Sequence, residues 1–230
     1  MDLALLNITG IHFLLKYLHI FFGLLWIGHL YYFNFTQGAA MAQMDGGGKS
    51  QVQQKLLPIA MWWFRWGAMW TFVTGLAMLH TASLTGFSLQ GDWGVKILTG
   101  ALFGISMWFN VWFIIWPAQR IIIQNAQDVA AGKPANPAAA AAGPRALLAS
   151  RTNTLFSIPM LFYMIAAGHL PIAMDMSNLA IYWGILLVVW AAIQINAMKG
   201  KLGPMTSVKG VISSGFGLTL FVYLLMEFVL

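Results

Sequence analysis

Six stretches of the chain are nearly unbroken runs of apolar residues, at about 11–34, 59–83, 95–117, 154–172, 178–198 and 209–230. Each meets or approaches the roughly 20 apolar residues that an α-helix needs to cross a bilayer. The pattern predicts an all-α fold, a polytopic transmembrane bundle of six spans forming one integral membrane domain over 1–230. The first run has no polar leader and no small-residue cleavage site, so it reads as a permanent helix. One connection is long, 119–153. It opens with Ile121 to Val129, which either extends the third helix or lies along the interface, and continues through Gly132-Lys133-Pro134-Ala135-Asn136-Pro137 and an alanine run to Gly143-Pro144. That composition predicts a linker on the cytoplasmic side. Pro117 and Pro159 mark places where helices three and four kink. Gly100 with Gly104, and Ser213 with Gly217, suit close helix–helix approach.

Charge orients the bundle. Lys49, Lys55, Arg120, Lys133, Arg145, Arg151, Lys199, Lys201 and Lys209 fall in the first, third and fifth connections, whereas Asp2, Asp92, Asp175 and Glu227 fall on the other side. Basic connections stay cytoplasmic, which places both termini on the non-cytoplasmic side. The net charge of +6 is therefore a topology signal and not a nucleic-acid footprint. With 60% of residues apolar and 8% charged, a soluble domain is excluded. The absence of cysteine removes disulfides, iron–sulfur clusters, thiolate zinc sites and covalent c-type haem attachment.

Ionisable groups at membrane depth are costly, so they are the first candidates for function. His12, Lys16 and His19 lie in the outer half of helix one, His80 near the outer end of helix two and His169 near that of helix four. A b-type haem needs two imidazoles from different helices at similar depth and a cation for its propionates. His19 is the best-placed axial ligand, with His169 or His80 as its partner, His12 as the shallow alternative, and Lys16 or Lys96 near the propionates. The competing reading is that these rings only pack and hydrogen-bond across the bundle. His29 sits in the aromatic stretch Trp26 to Tyr32 near the inner edge, where no partner for it is evident.

Arg65, inside Trp62-Trp63-Phe64-Arg65-Trp66, either stacks on tryptophan and reaches the inner interface or holds an anion. Asn110, Gln119, Arg120 and, across the linker, Arg151 and Asn153 form a second polar group at similar depth, suited to capping helix ends or to binding an anion. Carboxylates are too sparse for a proton relay.

Several blocks then resemble a known family. They are Leu15-Lys16-Tyr17-Leu18-His19 leading to Gly23, Trp26-Ile27-Gly28 and Tyr32-Phe33; Trp63-Phe64-Arg65-Trp66 with Thr74-Gly75; Asn110 through Pro117 to Arg120; Ala131-Gly132-Lys133-Pro134; and Asn153-Thr154-Leu155 through Pro159 and Leu161-Phe162 to His169. In this order they resemble the N-terminal membrane domain of the bacterial cytochrome c-linked urate oxidases. The resemblance implies a helical redox protein of the bacterial inner membrane that passes electrons to a c-type cytochrome on the outer side. It singles out His19, Asn110, Gln119, Arg120, Asn153 and His169. No Cys-x-x-Cys-His occurs here, so that cytochrome would be a separate chain. Three functions follow: an electron-transfer subunit with haem b serving a c-type cytochrome or a larger respiratory complex, a urate oxidase-like enzyme whose Arg65 or Arg120 holds the anionic substrate, or a non-catalytic accessory subunit.

Overall fold

A computed structural model describes residues 3–230; Asp2 lies outside them. Among the described residues all regular structure is helical. Helix α1 (Ile8–Tyr31) starts where the Asn7 side chain accepts a hydrogen bond from the Gly10 N–H at 2.9 Å, an N-cap that satisfies one of the free donors of the first turn. It runs on through a π turn, Tyr32–Gln37, into Gly38–Gln43. Asp45 caps the short helix Gly46–Gln51, and a second π turn, Val52–Leu56, leads into α2 (Leu57–Ala82). Gly86, at φ +89°, reverses the chain in the left-handed region open to glycine.

Helix α3 (Asp92–Asn110) passes through a third π turn, Val111–Ile115, into α4 (Trp116–Ala130) without a break. Pro117 does not stop it: the bond that its missing N–H forfeits falls at the π turn, where the regular ladder is already interrupted. Helix α5 (Ala139–His169) begins well before the fourth apolar run. The stretch expected to be a linker is thus mostly helix, with residues 131–138 as its turn. The alanine run there has the highest helix propensity of any composition, and Ala118, Ala142 and Ala146 bury against each other with Ile121 and Ile122 beside them. At the turn, Lys133 donates to Asp128 at 2.9 Å, and that hydrogen bond holds the Asp128 carboxyl below its ordinary value. Helices α6 (Leu179–Lys199) and α7 (Val208–Val229) complete the chain.

Four continuous helical stretches, Ile8–Gln43, Asp92–Ala130, Met176–Lys199 and Val208–Val229, are long and apolar enough to cross a membrane. Large apolar side chains such as Leu24, Val188 and Phe228 point outward at 70%, 71% and 82% exposure, as a lipid-facing surface requires. The α5 helix is central, touching α1, α3, α4, α6 and α7, while α1 and α2 form an antiparallel pair at one side. Gly100 brings α3 against α5, where an added Cβ would lie 3.2 Å from the Met164 N and 3.3 Å from the Tyr163 Cβ. On α7 the close approach belongs to Gly215, not to Ser213 and Gly217, which face outward. Pro159 cannot donate to the Leu155 carbonyl, and an added Cβ on Gly215 would sit 3.0 Å from that oxygen.

Candidate functional site

The three imidazoles of α1 are each held at Nδ1. His12 Nδ1 and the Thr81 hydroxyl share a hydrogen bond of 2.7 Å. The Thr74 hydroxyl donates to Trp70, and His19 Nδ1–H is shared between the Thr71 carbonyl at 2.9 Å and Thr74 Oγ1 at 3.2 Å. His29 Nδ1–H donates to the Leu25 carbonyl at 2.7 Å. Because a carbonyl can only accept, His19 and His29 carry hydrogen on Nδ1, which leaves Nε2 as the other ring nitrogen of each. Gly75 makes room for the second ring: an added Cβ there would lie 3.0 Å from His19 Cε1. His12 and His19 are seven residues apart, as are Thr81 and Thr74, so α1 and α2 are tied by two matching rungs.

This geometry suits His19 to one axial position of a haem, since an Nδ1–H fixed by a carbonyl leaves Nε2 for iron. A second imidazole does not meet it within the described residues. His80 is exposed on the α2 face of Val73 and Leu76, turned away from α1, and His169 is exposed at the end of α5. Lys16 is exposed between the two rungs. Lys96, 2% exposed, is already engaged: its ammonium donates to the Leu170 carbonyl at 2.6 Å and to Asp92 at 3.0 Å, fastening α3 to the end of α5.

The buried amides form a separate cluster. Asn110 and Asn153 are wholly enclosed; Asn110 donates to Asn153 Oδ1 at 2.9 Å, and Asn153 donates to the Met107 carbonyl at 2.9 Å. Gln194 of α6 completes the group, a partner that the apolar run 178–198 does not single out, since Asn196 follows two residues on. These side chains satisfy one another.

Toward the basic end of the bundle, aromatic rings join α2 to α3 and α4. Phe72 stacks on Trp108 with centroids 4.1 Å apart, Trp66 meets Trp112 edge-on at 5.6 Å, and the Arg65 guanidinium lies 3.9 Å over the Trp116 ring. Tryptophans at 108, 112 and 116 would drift by about 80° around an α-helix over eight residues; the wider π turn at Val111–Ile115 takes up part of that drift and keeps all three against α2. Arg65 Nε is buried without a hydrogen-bond partner, and the guanidinium has no carboxylate partner among the described residues. Gln119, one turn beyond Trp116, buries an Oε1 that also lacks a partner, while Arg120 is exposed on the same helix. Arg65, through its stacking on Trp116, and Gln119, one turn beyond that ring, thus place an unpartnered donor and an unpartnered acceptor at the same end of the bundle, groups with the chemistry to bind a planar anion.

The family model described as urate oxidase N-terminal matches residues 82–203. The matched stretch takes in α3 to α6, with Asn110, Trp116, Gln119, Arg120, Asn153 and His169; α1 and almost all of α2, with Arg65 and His19, precede it. No curated protein matches the chain. No solved structure matches it either.

Proposed function

The chain belongs to the urate oxidase N-terminal family, and from that premise we propose that it is the membrane module of a urate oxidase-like oxidoreductase, binding an anionic cyclic ureide between α2 and α4. The observation that carries this reading is Arg65 stacked on Trp116 with an enclosed, unpartnered Nε, with Gln119, one turn beyond Trp116, burying an unpartnered Oε1. A cyclic ureide anion alternates carbonyl acceptors with N–H donors along its edge. Arg65 donates to the former and Gln119 accepts from the latter, while Trp116 supplies the apolar wall. Arg120, one turn from Trp116 and exposed, adds positive potential on the way in. These residues bind and orient; the two electrons of ureide oxidation leave to a partner, a c-type cytochrome or a larger respiratory complex.

Six crossings are the topology we propose. Helix α2 runs beside α1 from the His12–Thr81 contact to the Phe33–Phe64 contact, and the outer part of α5 runs beside α3, so both share the depth of helices apolar enough to span. The positive-inside bias favours a bacterial inner membrane, with the α4–α5 hairpin in the cytoplasm and both termini outside. The anion site then opens toward the cytoplasm.

A second reading rests on His19, whose Nε2 would hold haem b together with a residue of a partner chain. Haem would supply one-electron carriage between the bound ureide and the outer cytochrome. The anion reading is tested by calorimetric titration of urate into the detergent-purified protein. Saturable binding is expected, weakened about tenfold in Arg65→Gln by loss of one charge-assisted hydrogen bond. Equal binding by wild type and Arg65→Gln, or none by either, rejects it.

A further inference from the structure

A cavity lies away from the anion site, on the side of the bundle where α5 meets α7 near Tyr31 of α1. It is a groove of about 710 Å³ lined by Ile158, Phe162 and Ile165 of α5, Phe216 and Leu220 of α7, and Tyr31 of α1. Of its three hydroxyls, those of Tyr31, Thr219 and Tyr223, the first two are already engaged. The Tyr31 hydroxyl pairs with Ser157 at 2.9 Å, and the Thr219 hydroxyl donates to the Gly215 carbonyl at 2.9 Å. A ligand with a polar head inside the groove would find little to bond, whereas a hydrocarbon chain loses nothing there.

The groove has a charged foot. Arg151 lies on the α5 face that carries Ile158 and Phe162, seven and eleven residues further on, which places it about 10 Å from Ile158 toward the basic end. Its Nε and Nη1 are enclosed with no hydrogen-bond partner, and it has no carboxylate partner among the described residues. Lys209, exposed in the first turn of α7, stands at the same end. Ile158 lies about 10 Å and Leu161 about 15 Å along the helix from Arg151, within the half-thickness of the hydrocarbon core, about 15 Å, so a chain anchored at Arg151 enters the groove.

We propose that this is a site for an anionic phospholipid of the leaflet at the basic end, its phosphate on Arg151 and one acyl chain in the groove between α5 and α7. The charge of Arg151 selects the headgroup, as basic pockets between membrane helices do for acidic lipids. The apolar lining of the groove selects the tail. The site is independent of the ureide reading.

Native mass spectrometry of the full-length, detergent-purified chain tests it, using phosphatidylglycerol and phosphatidylcholine of identical acyl chains. The expected result is one phosphatidylglycerol retained in preference to phosphatidylcholine. Arg151→Gln should lower its retention about tenfold, to the phosphatidylcholine level. Arg151→Lys should keep part of the preference. Leu161→Trp, at a lining position 39% exposed, should lower retention of both lipids by filling the groove. Equal retention of both lipids by the wild type overturns the proposal, as does unchanged phosphatidylglycerol retention in both Arg151→Gln and Leu161→Trp. Displacement of the lipid by millimolar inorganic phosphate assigns Arg151 to a free anion and overturns it too.

Discussion

Gln194 Nε2 donates to Asn110 Oδ1 at 2.6 Å, and Asn110 Nδ2 donates back to Gln194 Oε1 at 3.2 Å, so the two amides close a reciprocal pair between α6 and α3. Asn110 also donates to Asn153, which makes it the hub of a three-helix junction. A junction of neutral amides fixes the register of three helices without the desolvation cost of buried charge.

Asn110→Ala should therefore destabilise the protein by on the order of 2–4 kcal/mol, because it strips Gln194 of both its bonds and leaves Asn153 Oδ1 without its donor. The triple change Asn110→Leu, Asn153→Leu, Gln194→Leu should recover part of that loss. Thermal unfolding in detergent reads both. A triple variant weaker than Asn110→Ala would show that packing, and not amide pairing, governs the junction.

Gly100→Leu should separate α3 from α5, since even a Cβ there stands 3.2 Å from a backbone nitrogen. Gly217→Ala, with nothing within 4 Å of its added carbon, should be neutral. Overpacking of this kind costs about 1–3 kcal/mol, and more where backbone must move. Comparable melting temperatures for the two variants would contradict the assigned interface.

His19→Ala should lower stability by about 1 kcal/mol, the usual worth of a hydrogen bond across membrane helices. Under the haem reading it also removes the Soret band and the reduced-minus-oxidised peaks of membranes holding this protein and its partner. Thr74→Val leaves the Thr71 carbonyl bond in place and should preserve those peaks. Bands that survive His19→Ala would remove His19 as a haem ligand.

Lys96→Met should free the end of α5 from α3, because the ammonium alone ties Asp92 to the Leu170 carbonyl. The expected readout is faster hydrogen exchange in residues 166–172 with little change at Asn153. Exchange that rises equally along all of α5 would point to global unfolding instead.

The helices were readable from apolar runs alone, because lipid-facing and buried positions are both apolar and length decides the element. The helical hairpin over 118–150 was not, since glycine and proline cues for a linker competed with an alanine run and the tertiary contact of Ala118 with Ala142 and Ala146 decided the outcome. Depth could be counted along each helix, and so the polar levels of Asn110 and Asn153 emerged. Rotation about the helix axis could not be counted in the same way. On an all-apolar helix no polar stripe marks the inner face, which is why His80 was paired with His19 on depth while its side chain faces away, and why Gln194 went unnoticed. Arg65 and Gln119 were each singled out from sequence, but their shared wall, Trp116, depends on the π turn at Val111–Ile115, and no local residue pattern announces it.

The most direct test of the account is urate-dependent reduction of an added c-type cytochrome by membranes containing this protein, measured against matched membranes without it. The account predicts reduction of two cytochromes per urate consumed, abolished or strongly reduced in Arg65→Gln and Gln119→Ala while Asn110→Ala acts only through stability. Membranes that hold the folded protein and its partner cytochrome, yet consume no urate above the control, would contradict it.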